Sequence, residues 1–205
     1  MFENEIRKLK SWDRVLREII DRVGPCTLRP MKNYFMALAE AIVSQQLSVK
    51  ASATIFQRFQ QLYANPHQRR PRPEEILATS EEALRGVGLS RQKISYLRDL
   101  AQKFAAGMVN PRKFRGMPDE EIIEALVQIK GIGRWTAEMF LIFSLNRLDV
   151  LPVDDLGFRK AIQRAYRLRK LPTAEKIRKL AKPWEPYRSL ATWYLWASLK
   201  NVPLK

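Results

Sequence analysis

The sequence predicts an all-α fold. Apolar residues recur at three- and four-residue spacing in almost every segment, sustained period-two alternation is absent, and proline, glycine or serine breaks the chain at short intervals. Ser11 is the candidate cap of a first helix whose apolar positions include Trp12, Val15, Ile19 and Ile20, and Gly24-Pro25 ends it. Residues 34–42 are apolar at helical spacing, and 47–62 resume the pattern after a break at Ser44-Gln-Gln-Leu-Ser48. A polar, proline-rich loop over 65–73 leads to short helices at 73–79 and 80–85. Residues 90–104 form an amphipathic helix carrying Ile94, Leu97, Leu100 and Ala101. Residues 118–129 place Ile122, Ile123, Leu126 and Ile129 on one stripe behind Asp119, Glu120 and Glu121, acids that suit the positive end of a helix. A sharp turn at Lys130-Gly-Ile-Gly133 opens the next helix, with Ala137, Phe140, Leu141 and Ser144 at its spacing. The last helices are predicted at 156–166, 173–181 and 187–199.

Composition narrows the partners. Across 205 residues, 37 lysines and arginines stand against 21 acids, a formal charge of +16. Such an excess attracts polyanions: DNA, ribosomal RNA or an anionic membrane surface. With 46% apolar residues the chain can bury a substantial core, so it reads as a folded domain and not a basic tail. Cys26 is the single cysteine, which excludes an internal disulfide, a four-cysteine zinc site and an iron–sulfur cluster, and it suits a reducing cytoplasm. His67, the single histidine, lies in the polar loop, so a Ser-His-Asp triad or catalytic zinc is not expected. Neither a secretory signal nor an apolar run of about 18 residues is present.

The 130–133 turn carries the most specific chemistry. Glycines at alternate positions allow left-handed dihedrals and close backbone approach, and the first amides of the following helix can hold a phosphate. An ordinary helical corner needs the same glycines, so the pattern alone is weak. A shorter echo, Leu84-Arg-Gly-Val-Gly-Leu-Ser-Arg-Gln-Lys-Ile94, repeats the turn and brings Arg91 and Lys93 into consideration as further backbone contacts or as a solvated basic face. Downstream, Asp154 and Asp155 precede a predicted helix start at Leu156. The residues alone do not separate a capping carboxylate from a catalytic one.

Three motifs stand in order: Gly131-Ile-Gly-Arg-Trp-Thr-Ala137, then Pro152-Val-Asp-Asp155, then Trp184-Glu-Pro-Tyr-Arg-Ser-Leu-Ala191 with Trp196. Together, over about residues 33–200, they resemble the helix-hairpin-helix DNA glycosylase superfamily, and within it the alkylbase branch of the DNA-3-methyladenine glycosylase II type. That resemblance implies a two-lobed helical fold with a DNA cleft, one lobe over 33–115 and the other formed by 1–32 with 116–205. It implies a monofunctional enzyme that flips alkylated, cationic purines such as 3-methyladenine out of duplex DNA and hydrolyses the glycosidic bond. The catalytic carboxylate is then Asp155, with Asp154 left to cap the helix. Trp135, Met139 and Trp196 take base-pocket positions, Met139 standing where the inducible bacterial enzyme has tyrosine, while Trp184 and Trp193 are expected in the core. In bifunctional relatives a lysine replaces Trp135 and forms a Schiff base, so no strand cleavage is expected here. Gln46 aligns with the wedge that fills the vacated stack, Leu47 beside it, and Lys130, Gly131, Gly133 and Arg134 meet DNA backbone. The carbonyls of Val127, Ile129 and Ile132 match a structural monovalent-cation site; no catalytic cofactor is implied. The expected partner is damaged double-stranded DNA, with no membrane association, a monomeric state, a cytoplasmic or nucleoid location, and no room for the β-rich N-terminal domain of the larger bacterial enzyme. The alternatives are a helix-hairpin-helix protein that binds DNA without chemistry, or a glycosylase for neutral deaminated or oxidised bases.

Overall fold

The structure is a computed structural model that describes residues 2–31, 33–64 and 70–199; His67 lies outside the described residues. Regular structure among them is entirely helical: α1 (Glu3–Trp12), α2 (Arg14–Val23), α3 (Tyr34–Ser44), α4 (Val49–Gln61), α5 (Pro73–Ala78), α6 (Glu81–Gly86), α7 (Arg91–Ala105), α8 (Asp119–Val127), α9 (Arg134–Phe143), α10 (Leu156–Ala165), α11 (Ala174–Ala181) and α12 (Arg188–Leu199). The chain divides into two compact units, Met31–Phe140 and Met1–Pro30 with Leu141–Lys205. None of the helices described is long and apolar enough to cross a membrane.

In the Met31–Phe140 unit, α3 is apolar enough to be buried along most of its length, through Phe35, Met36, Leu38, Ala39, Ile42 and Val43. Asn33 starts it by accepting the Met36 amide at 3.0 Å. Serines start the neighbouring helices the same way: Ser48 for α4, Ser80 for α6 and Ser90 for α7, each cap worth about 1 kcal/mol. α7 is the unit's spine, with α3, α5 and α6 packed on it. Its buried face is the predicted one: Ile94, Leu97, Leu100 and Ala101.

The hairpin joins this unit, which corrects the expected lobe boundary near 115. Polar ties decide the point: Asp99 of α7 accepts the Lys130 amide at 2.8 Å, and the Gln45 side chain donates to the Gly131 carbonyl at 2.7 Å.

In the other unit, α2 and α10 pack against α12, and α1 packs on α2. Asp13 is a second correction: it, and not Ser11, caps α2, accepting the Leu16 amide at 3.0 Å, while the Ser11 hydroxyl donates to the Lys8 carbonyl within α1. The other Asp13 oxygen accepts Tyr166 Oη–H and, at 2.9 Å, Trp184 Nε1–H. Trp184 is fully buried, as expected of a core tryptophan, and Trp193 is half-buried with its ring edge-on to Tyr194.

Candidate functional site

The hairpin between α8 and α9 is fixed by one glycine. Gly131 has φ +81°, and a Cβ there would lie 2.1 Å from the Tyr96 ring, so both its dihedral and the packing of α7 demand glycine. Gly133 differs: a Cβ there would meet nothing within 4 Å, and its carbonyl accepts the Ala137 amide at 3.1 Å. It opens α9 on an exposed surface, the geometry that lets helix-terminal amides receive an anion. The echo is not a second hairpin. Its positive-φ residue is the second glycine, Gly88 at +102°, whereas the hairpin bends at its first, and Gly86 still belongs to α6.

The basic residues divide by what they hold. Lys130 is exposed. Arg134 forks the Glu120 carboxylate with Nη1 and Nη2, the latter at 2.8 Å, and Nε lies 3.3 Å from Glu138; donation to Glu120 is the main reason its guanidinium is more basic than usual. Arg91 pairs with Glu81 at 3.3 Å on the surface. Lys93 takes a structural part in place of the expected backbone contact. Its Nζ donates to the carbonyls of Val43 at 2.7 Å and Gln45 at 2.9 Å, closing the C-terminus of α3, and burial lowers its pKa.

That closure shapes the break at 44–48. Gln46 has φ +57° and is exposed, and Leu47 and Val49 beside it are exposed apolar residues. Within the same unit, Trp135 and Met139 of α9 line a recess of about 400 Å³ with Ala41, Ser44, Gln45, Gln46 and Thr136. Trp135 is 49% exposed, unusually open for so large a ring, and leaves aromatic surface available for stacking. Sequence reading placed Trp135, Met139 and Gln46 in the site without bringing them together, and it missed Gln45, whose amide joins the break to the hairpin.

Asp155 and Trp196 meet in the other unit. α10 begins at Leu156, where the sequence placed it, and the residue before it is the cap: Asp155, not Asp154, accepts the Phe158 amide through Oδ1. Trp196 Nε1–H donates to that same oxygen at 2.8 Å. The indole is held by stacking on Phe143, centroids 5.7 Å apart, and by the edge of Phe158. Gly157 makes room for this bond. A Cβ on it would lie 3.2 Å from Asp155 Oδ1 and 3.6 Å from Trp196 Nε1, a reason for glycine that no periodicity announces. The late Trp-Glu-Pro-Tyr-Arg-Ser motif supports the loop leading to Asp155. Arg188 grips Asp149 through Nε at 2.7 Å and Nη2 at 2.9 Å, and Ser189 Oγ accepts the Val150 amide at 2.9 Å.

The carbonyls of Val127, Ile129 and Ile132 end α8 and cross the turn. That of Ile129 accepts the Ile132 amide at 3.0 Å, which leaves a carbonyl oxygen a second lone pair for a hard cation. Among the described residues no cluster of three or more histidine, cysteine or acidic side chains could hold a metal ion.

Residues 39–186 match the HhH-GPD superfamily of base excision DNA repair proteins. DNA-3-methyladenine glycosylase 1 of Schizosaccharomyces pombe is 39% identical over 192 residues, 93% of this chain and 83% of that protein. The solved complex of the S. pombe 3-methyladenine DNA glycosylase with abasic DNA is similar over 97% of both chains, at 39% identity and a TM-score of 0.84. The crystal structure of a Bacillus halodurans DNA-3-methyladenine glycosidase is 36% identical, with a TM-score of 0.85, covering 96% of this chain and 89% of that one. The hairpin, the order of the motifs and these similarities converge: the chain belongs to the HhH-GPD superfamily of base excision DNA repair proteins.

Proposed function

We propose that this protein is a monofunctional DNA glycosylase that excises alkylated, positively charged purines such as 3-methyladenine from duplex DNA and leaves an abasic site for base excision repair. The observation that carries the proposal is Asp155, a carboxylate oriented through one oxygen by the Phe158 amide and the Trp196 indole, in a chain whose hairpin can grip backbone phosphate. The relatives named 3-methyladenine glycosylases support the substrate class.

The chemistry suits a single carboxylate. A purine alkylated at N3 or N7 already carries the positive charge that protonation would otherwise supply, so the C1′–N bond breaks with its electron pair passing to the base, which leaves neutral. The sugar becomes oxocarbenium-like, Asp155 stabilises its positive charge, and water adds at C1′ and loses a proton. Trp135 and Met139 offer the aromatic and polarisable surface that a flat cationic base stacks upon. Gln46 and Leu47 act as the wedge filling the vacated stack, and the opening of α9 at Gly133 and Arg134, with Lys130, holds phosphate. Val127, Ile129 and Ile132 hold a monovalent cation that stiffens the turn and takes no part in bond cleavage. The protein works as a monomer in the cytoplasm, without a catalytic cofactor.

Chromatography of duplex DNA treated with a methylating agent and then with the purified protein tests the reading. Release of methylated purines as intact bases is expected. Tight binding with no base released would instead support the DNA-binding reading without catalysis, and release of uracil or hypoxanthine but not methylated purines would move the substrate to neutral bases.

A further inference from the structure

The base-excision reading leaves one strongly charged cavity unused. It lies in the unit formed by Met1–Pro30 and Leu141–Lys205, has a volume of about 460 Å³, and is lined by Arg14, Glu18 and Arg22 of α2 and by Arg164, Tyr166 and Arg167 at the end of α10. Arg14, Glu18 and Arg22 share one face of α2 through four-residue spacing. At the end of α10, Arg167 adopts φ +52° while the Leu168 amide donates to the Gln163 carbonyl at 2.9 Å, turning the chain. Four guanidinium groups therefore face one carboxylate. That carboxylate, Glu18, is paired at 3.3 Å with Arg14, and the Tyr166 hydroxyl donates to Asp13, so neither serves the remaining arginines.

Arg22 makes the cavity chemically specific. Its Nε and Nη2 are shielded from solvent and find no acceptor among the described residues. A buried cationic N–H without an acceptor is costly, and two on the same edge of one guanidinium ask for a two-oxygen partner. The chain shows what satisfies that edge: Arg188 presents the same Nε and Nη2 to the two oxygens of Asp149. The geometry points to a phosphate-binding pocket in which, on binding, Arg22 turns its unmatched Nε–Nη2 edge into the cavity to fork two phosphate oxygens while Arg164 and Arg167 neutralise the remaining charge. Phosphate fits better than a carboxylate because three arginines beyond the Arg14–Glu18 pair exceed the single charge that a carboxylate brings. The C-terminal ends of α2 and α10 oppose an anion only weakly beside those full charges.

Inorganic phosphate is the probe. Melting temperature is followed against phosphate concentration at constant ionic strength for the wild-type chain, Arg22→Gln and Arg164→Gln, the last altering an exposed side chain that folding tolerates. The wild type is expected to show a saturable rise, and each variant to need at least about tenfold more phosphate for the same rise, the loss of one charge-assisted fork. Any effect of phosphate at the hairpin is common to all three chains and cancels. Coincident curves for the wild type and both variants would overturn the site. Repeating the titration with saturating duplex DNA identifies the source of the phosphate. Loss of the Arg22-dependent rise assigns the pocket to a DNA phosphate, and its persistence assigns it to a small phosphorylated molecule.

Discussion

Asp155 does two jobs with one oxygen: Oδ1 starts α10 and receives the Trp196 indole. Both bonds fix the plane of the carboxylate, so in its proposed catalytic role small displacements at its neighbours would reach the reaction. Gly157→Ala puts a methyl group 3.2 Å from that oxygen, and base release is expected to fall by about tenfold while the melting temperature barely moves, since the new group crowds the bond and not the core. Trp135 provides an opposite kind of check. The proposed mechanism has no lysine at that position to form a covalent C1′ adduct, and borohydride treatment of the enzyme on damaged DNA is expected to trap nothing. The acidic pair was legible in the sequence as important, but the division of labour was not. Capping preference accepts either aspartate; the helix start at Leu156 was legible, but that one oxygen of the residue before it both caps the helix and receives an indole depends on Trp196, some forty residues later in the chain.

Among the elements, the hairpin shows what periodicity can and cannot reveal. Its glycines and the stripes of α8 and α9 are visible as pattern. Its seat on α7 is not, because Tyr96, Asp99 and Lys93 occupy positions that the pattern reads only as the polar side of an amphipathic helix. α1 was missed for a related reason: its charged opening hides a helix anchored by little more than the fully buried Leu9. Gly131→Ala must displace the Tyr96 ring and force alanine to φ +81°, so it is expected to cost about 1–3 kcal/mol in denaturant unfolding and to weaken DNA binding with it. Asp99 gives the hairpin a dependence on pH. Burial pushes its carboxyl upward, but hydrogen bonds from Lys103 and the Lys130 amide, with the charges of both lysines, outweigh burial and hold it below the usual range. A depressed folded value means that its stabilising contribution is fully present above the ordinary aspartate range of about pH 4 and is lost as pH falls through the folded value. Melting temperatures recorded from neutral pH down into that range should fall less steeply for Asp99→Asn than for the wild type.

For the molecule as a whole, the charge of +16 and the all-α class were readable from composition and spacing, while the unit boundary was misplaced by the length of the hairpin. Boundaries follow tertiary ties such as Gln45 to Gly131, which join residues far apart in sequence and leave no local trace. The charge predicts that affinity for undamaged duplex falls by about a hundredfold or more between about 50 and 200 mM salt; anisotropy titrations showing a flat response would remove backbone phosphate as the main source of binding. Catalysis requires more than that attraction, and the proposed role of Asp155 is where the two separate. The decisive measurement is the single-turnover rate of 3-methyladenine release from methylated duplex by the wild type and by Asp155→Asn, each saturating the DNA. The expected result is release by the wild type and a rate at least about a hundredfold lower for the variant at comparable DNA affinity. Equal rates, or no release by a wild-type protein that binds the same DNA, would contradict the assignment of Asp155 as the catalytic carboxylate of a base-excising enzyme.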